Sequence, residues 1–306
     1  MFYRRDFIKY SLLGISNIFF SNKLFALNQK KIIKKIIPKS NESISPIGMG
    51  TWLTFDVMPT KKNVYDRSLI LKSFFENHGQ MIDSSPMYGM AEKIIGMSLK
   101  NLKNKNKLFS ATKIWTPAEF YGEKQIINSF KLWKISEFSL IQVHNLLNYK
   151  SHSETLTKYK KDGKIKYLGI TTSHGSRHDE LINIMKKDNI DFVQFTYNIL
   201  DDEAEKYILP LAYEKNIAVI INRPFQGGKL FEYTKNLKIP SWIRNYDLNS
   251  WSEIYLKFII SHPFVTCAIP ATSQLKHMKE NMQSQYGNLL NEDQRAEIKK
   301  FFKKLI

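Results

Sequence analysis

From Ile47 onward the chain alternates short apolar runs with segments of helical periodicity, and it does so eight times. The runs cover 47–52, 80–83, 108–114, 138–144, 165–171, 192–197, 218–222 and 267–270. Between them, apolar residues recur at i, i+3, i+4 and i+7, the spacing of one buried helix face. Leu69, Ile70 and Phe74 mark the first helix, Ile94, Ile95 and Leu99 the second, and Tyr207, Leu211 and Tyr213 the sixth. The eighth runs over 275–285, and 292–304 predicts an added terminal helix. Eight strands alternating with eight helices predict an α/β fold, a (β/α)8 TIM barrel. A doubly wound sheet would want a Gly-x-Gly-x-x-Gly turn after an early strand, and the chain has none. Ahead of the barrel, residues 34–38 and a turn over 40–43 predict a small β-hairpin.

The net charge of +18 over 306 residues would suit nucleic acid or an anionic surface. The lysines are scattered, however, and no helix carries a basic stripe with interleaved aromatics, so nucleic-acid binding is not expected. The densest late run, Lys103, Lys105 and Lys107, reads as a solvated loop. A single cysteine, Cys267, excludes an intrachain disulfide and a cysteine metal cluster, and its apolar strand predicts a buried thiol. The histidines form no spaced ligand set, so no metal is expected.

Residues 1–27 read as an address rather than as fold. Arg4-Arg5-Asp6-Phe7-Ile8-Lys9 resembles the twin-arginine export motif, and a moderately apolar stretch follows to Phe20. Ala26 could end a signal peptide, while Leu24 is not the small residue such a site wants, so an uncleaved membrane tether is the alternative. The expected organisation is a signal over 1–27, a linker and the start of the hairpin over 28–43, and the barrel over 44–306. The expected location is periplasmic or exported, with the export machinery as a partner.

In such a barrel, functional groups belong at the C-terminal ends of strands. Asp83 ends the second run, with Tyr88 five residues on in a polar turn; Lys113 closes the third run and His144 the fourth. A lysine ending a buried strand needs a partner, and Asp83 on the next strand is placed to be it. A neighbouring ammonium should stabilise the Tyr88 phenolate and lower its pKa, making it a better proton donor. His144 could then orient the oxygen to be protonated.

These residues resemble the Asp/Tyr/Lys/His tetrad of the aldo-keto reductase family, in order, and the likeness runs from about Ile44 to Phe302. The resemblance implies NADP(H)- or NAD(H)-dependent reduction of an aldehyde or ketone, with the proton from Tyr88. It also implies cofactor contacts. Gly50, Thr51 and Trp52 match the first strand end, and Thr171, Thr172 and Gln194 the nicotinamide carboxamide site. Asn222 stands where many members stack an aromatic ring. Arg223, Pro224, Phe225 and Gly227 would face the pyrophosphate. Ala271, Thr272, Ser273 and His277 stand where members holding a 2′-phosphate carry lysine, serine and arginine, and Glu280 and Asn281 match adenine contacts. Trp52, Trp115, Tyr121 and the loop 230–244 are expected to wall a pocket for a small carbonyl compound. His174 reads as a solvated loop residue. A cofactor-bound regulatory barrel with little turnover is the second reading, and a barrel isomerase or lyase without nicotinamide the third.

Overall fold

The computed structural model describes residues 31–100, 102 and 107–305. The segment expected to be an export signal, 1–27, lies outside them, as do Lys103 and Lys105 of the expected solvated loop. Hairpin and barrel belong to one unit, Ile33–Ile306.

The hairpin pairs β1 (Lys35–Ile37) antiparallel with β2 (Glu42–Ile44). The barrel strands are β3 (Met49–Gly50), β4 (Met81–Asp83), β5 (Phe109–Ile114), β6 (Phe138–Val143), β7 (Ile165–Thr171), β8 (Phe192–Thr196), β9 (Ala218–Asn222) and β10 (Cys267–Ala268). All pair in parallel in sequence order. Parallel bridges Ile47 to Ala268 and Gly50 to Ala271 join the last strand to the first. The eight predicted strands are present. The first and last are shorter than expected because Pro270 has no N–H to extend a ladder, although its carbonyl still accepts from Gly50 N–H at 3.1 Å.

Period-2 alternation divides each strand between two cores. Ile82, Ile141, Val193 and Val219 point outward to the helices. Met81, Ala111, Leu140, Tyr167, Phe192 and Ile220 fill the barrel, and Ile37 and Ile44 of the hairpin join them as its floor. Two residues above those inner side chains come Asp83, Lys113, Gln142, Gly169 and Gln194. The same parity that buries the core therefore sends polar groups into the barrel's upper layer.

Elsewhere the periodicity misplaced a face. Tyr207 and Tyr213 are 71% and 67% exposed, and the helix Ile208–Glu214 buries Ile208, Leu209, Leu211 and Ala212 instead. Tyr213 rests on Phe264, with ring centroids 4.4 Å apart. Two short helices, Lys229–Thr234 and Ser241–Arg244, occupy the stretch expected as a loop. The terminal helix, Glu292–Lys303, starts with a capping box between Asn291 and Gln294. Cys267 is buried, as its strand position predicts.

Candidate active site

Asp83 is the last residue of β4, and the chain turns sharply after it. Ser85 Oγ accepts the Met87 N–H, and its carbonyl accepts the Tyr88 N–H at 2.9 Å, closing a turn that returns Tyr88 over the barrel mouth. Gly89 follows at φ +54°, where a Cβ would fall 2.2 Å from Asp56 Oδ1. That carboxylate accepts the Met90 N–H at 2.9 Å, fastening this loop to the one after β3.

Lys113, fully buried, donates to Asp83 Oδ2 at 2.5 Å and to Ser84 O at 2.7 Å. Its Nζ lies 5.2 Å from the Tyr88 ring centroid. Burial works against the lysine's charged form, yet Asp83 and then Tyr88 hold its pKa above the ordinary value. For Asp83, burial pushes the carboxyl up while Lys113 and Gln142 pull it back.

The Tyr88 phenol stands above its usual pKa, contrary to the sequence expectation. Burial raises it by more than Lys113 lowers it, and Asp83 adds to the rise. The ammonium is where it was expected, but desolvation outweighs it. The His144 ring meets Tyr88 edge-on at 5.9 Å, and its Nδ1 lies 3.1 Å from Ser85 Oγ. Burial, then Lys113, depresses its pKa to about 3, so the imidazole is neutral at physiological pH. The tautomer in which the Ser85 hydroxyl donates to Nδ1 is the one that would place the ring hydrogen on Nε2.

A cavity of about 380 Å³ opens over these groups. Asp83, Tyr88 and His144 line it, with Gly50, Thr51, Trp52, Gln194, Asn222, Arg223, Pro224, Phe225, Gly227 and Ala271. A second, of about 600 Å³, shares Phe225, Phe231 and Ala271 with it and holds Thr272, His277, Glu280 and Asn281. The two make a polar-ended cleft across the strand ends.

Four expected contacts differ. Thr171 is buried outside both cavities, its Oγ1 accepting the Asn145 N–H at 3.2 Å. Thr172 is buried too, with an Oγ1 that has no partner among the described residues. Ser273 is exposed and lines neither cavity, because Thr272 Oγ1 caps the turn by accepting the Gln274 N–H. Asn222 does not offer its amide freely: Nδ2 donates to Thr172 O at 2.9 Å and Oδ1 accepts from Thr196 at 2.7 Å.

Trp115 and Tyr121, expected as walls, line neither cavity. His174, read as a loop residue, is exposed and lines the smaller one, with Asn145, Ser173, Met87 and Phe231. Asn145 directly follows His144 at a strand end, which was a readable signal; Ser173 and His174 are brought in by a loop that no local pattern announces. The larger cavity adds Asn249, Ser250, Trp251 and Ser252, for which the sequence had no sign.

The family model described as "Aldo/keto reductase family" matches residues 46–303. The chain belongs to the aldo/keto reductase family. It is 24% identical to the methylglyoxal reductase YeaE of Escherichia coli over 259 residues, 81% of this chain and 88% of that one. To the aldo-keto reductase YhdN of Bacillus subtilis it is 22% identical over 192 residues, 58% of this chain and 57% of that one. A Klebsiella pneumoniae aldo-keto reductase solved with NADPH superposes with a TM-score of 0.75 at 17% identity, covering 89% of this chain and 96% of that one. A glycerol dehydrogenase of Gluconobacter oxydans gives 0.76 at 16%, with the same coverage. This aldo/keto reductase thus shares their barrel over nearly its whole described length.

Proposed function

We propose that this aldo/keto reductase reduces an aldehyde or ketone to the alcohol with NADP(H), or with NAD(H), and that Tyr88 gives the proton. The observation that carries the reading is the sealed Lys113–Asp83 pair under Tyr88 at the cavity floor.

The residues present fit a nicotinamide dinucleotide. Arg223 lines the cavity and makes no ion pair or side-chain hydrogen bond among the described residues, which leaves its fork for a pyrophosphate. The bare Gly227 lies against that guanidinium, where a Cβ would come 3.1 Å from Nη2. The amide of Gln194 lines the same cavity, where a carboxamide would need a polar partner. The NADPH held by the Klebsiella neighbour supports NADP(H) as the first form to test.

When bound, the dinucleotide supplies a hydride to the carbonyl carbon. Tyr88 protonates the carbonyl oxygen; as the proton leaves, negative charge grows on the phenol oxygen, and the adjacent Lys113 ammonium stabilises it. Asp83 keeps Lys113 charged and aimed. Neutral His144 donates from Nε2 to the same carbonyl oxygen and orients it.

The test is oxidation of NADPH and NADH with methylglyoxal, a choice prompted by the Escherichia coli relative, and with a panel of aldehydes and ketones. Tyr88→Phe should abolish turnover and keep dinucleotide binding. Unchanged turnover in that variant would refute the proton assignment, and a wild type that binds no dinucleotide would end the reductase reading.

We also propose that residues 1–27 are a twin-arginine export signal, on the strength of Arg4-Arg5 and the apolar stretch behind them. Replacing both arginines with lysine should retain the protein in the cytoplasm. An unchanged distribution would remove the proposal.

A further inference from the structure

Inside the barrel, one side chain joins the proton-transfer pair to the wall of the cavity. Gln142 is fully buried on β6, beside Lys113 in register. Its Nε2 donates to Asp83 Oδ1 at 3.2 Å and to Gln194 Oε1 at 3.0 Å, while its own Oε1 has no partner among the described residues. The direction of this amide follows from chemistry, because only the NH₂ end can face a carboxylate.

Gln142 and Gln194 are not on neighbouring strands; β7 lies between them. The β7 residue in register with Gln142 is Gly169. A Cβ there would stand 2.8 Å from Phe192 O and 3.2 Å from Gln142 Cγ. The glycine therefore leaves the gap through which Gln142 reaches across to β8.

We infer that Gln142 is a positioning residue that acts through Gln194: by occupying Oε1 it leaves the Gln194 amide only its NH₂ to offer, shared between Asp83 and the cavity that Gln194 lines, so the bound group there must be a hydrogen-bond acceptor. Asp83 shares the same donor. The residue that steers Lys113 and the residue that meets the ligand are thus held by one amide. The buried carbonyl of Gln142, left without a partner, is what the fold tolerates to keep that amide in place. The inference rests on the reductase reading, in which that acceptor is the carboxamide oxygen of a nicotinamide.

Titration of tryptophan fluorescence with NADPH tests it in the wild type, in Gln142→Leu and Gln142→Met, and in each combined with Gln194→Met. Thermal melts identify which variants fold, and either Gln142 substitution suffices. Loss of one well-made hydrogen bond predicts an NADPH Kd raised about tenfold in the single Gln142 variants. In the Gln194→Met background the same change should add less than about twofold, because the residue through which it acts is gone. A residue that only filled space would show neither the loss nor this non-additivity. An unchanged Kd in a folded Gln142 variant overturns the inference, and so does a loss that adds in full on top of Gln194→Met. A wild type that binds neither NADPH nor NADH removes the reductase reading and this inference together, whereas a wild type that binds while the folded Gln142 variants match it overturns the inference alone.

Discussion

Lys113 Nζ lies 2.5 Å from Asp83 Oδ2, and the two side chains are 0% and 2% exposed. Two charges sealed from water are held only while both are present. Removing one partner of such a pair costs about 3–5 kcal/mol, because the other stays buried and uncompensated. Asp83→Asn and Lys113→Met are each expected to lower the melting temperature and to reduce turnover about 100-fold or more. Calorimetry and steady-state rates check this; a variant that melts and turns over like the wild type would show that the pair is dispensable.

Stability should depend on pH through His144. Its pKa in the fold is about 3, against 6.5 ordinarily, so between those values the unfolded chain binds the proton more readily. The sign is that of a depressed group: the contribution is present above about pH 6.5 and is lost as the pH falls toward 3. His262, lowered by burial to about 4, acts in the same direction. Denaturant melts at pH 7 and pH 5 should show the loss, and His144→Gln should flatten it. An equal slope in that variant would mean the pH dependence arises elsewhere.

The Tyr88 loop should tolerate no side chain at Gly89. Its φ of +54° and the 2.2 Å approach to Asp56 make Gly89→Ala both strained and overpacked. Such strain costs about 1–3 kcal/mol. Because the loop carries Tyr88, turnover should fall more than dinucleotide binding does. Normal stability and rate in Gly89→Ala would show that the Asp56 contact yields easily.

Arg223 should act as a counter-charge that salt can screen. Arg223→Ala is expected to weaken NADPH binding about tenfold at low ionic strength, the scale of one charge-assisted contact, and less as salt rises. Titrations at two salt concentrations decide it; a loss independent of salt would mark Arg223 as a packing residue.

The hairpin, the eight strands and the gathering of Asp83, Tyr88, Lys113 and His144 at the barrel mouth were legible in the sequence for one reason. A strand's parity and its end are local properties, carried by alternation and by where a polar residue breaks an apolar run. Tertiary structure decided what depends on distant neighbours. The ammonium beside Tyr88 was readable, yet the phenol's pKa goes up because the amount of water removed is set by everything packed around it. Thr171 and Thr172 keep their strand-end places but turn from the cavity, bound or buried by loops that arrive from elsewhere. Gln142 looks like one more residue of an apolar run. Only closure of the barrel, with a glycine on the strand between, brings it within 3.0 Å of Gln194.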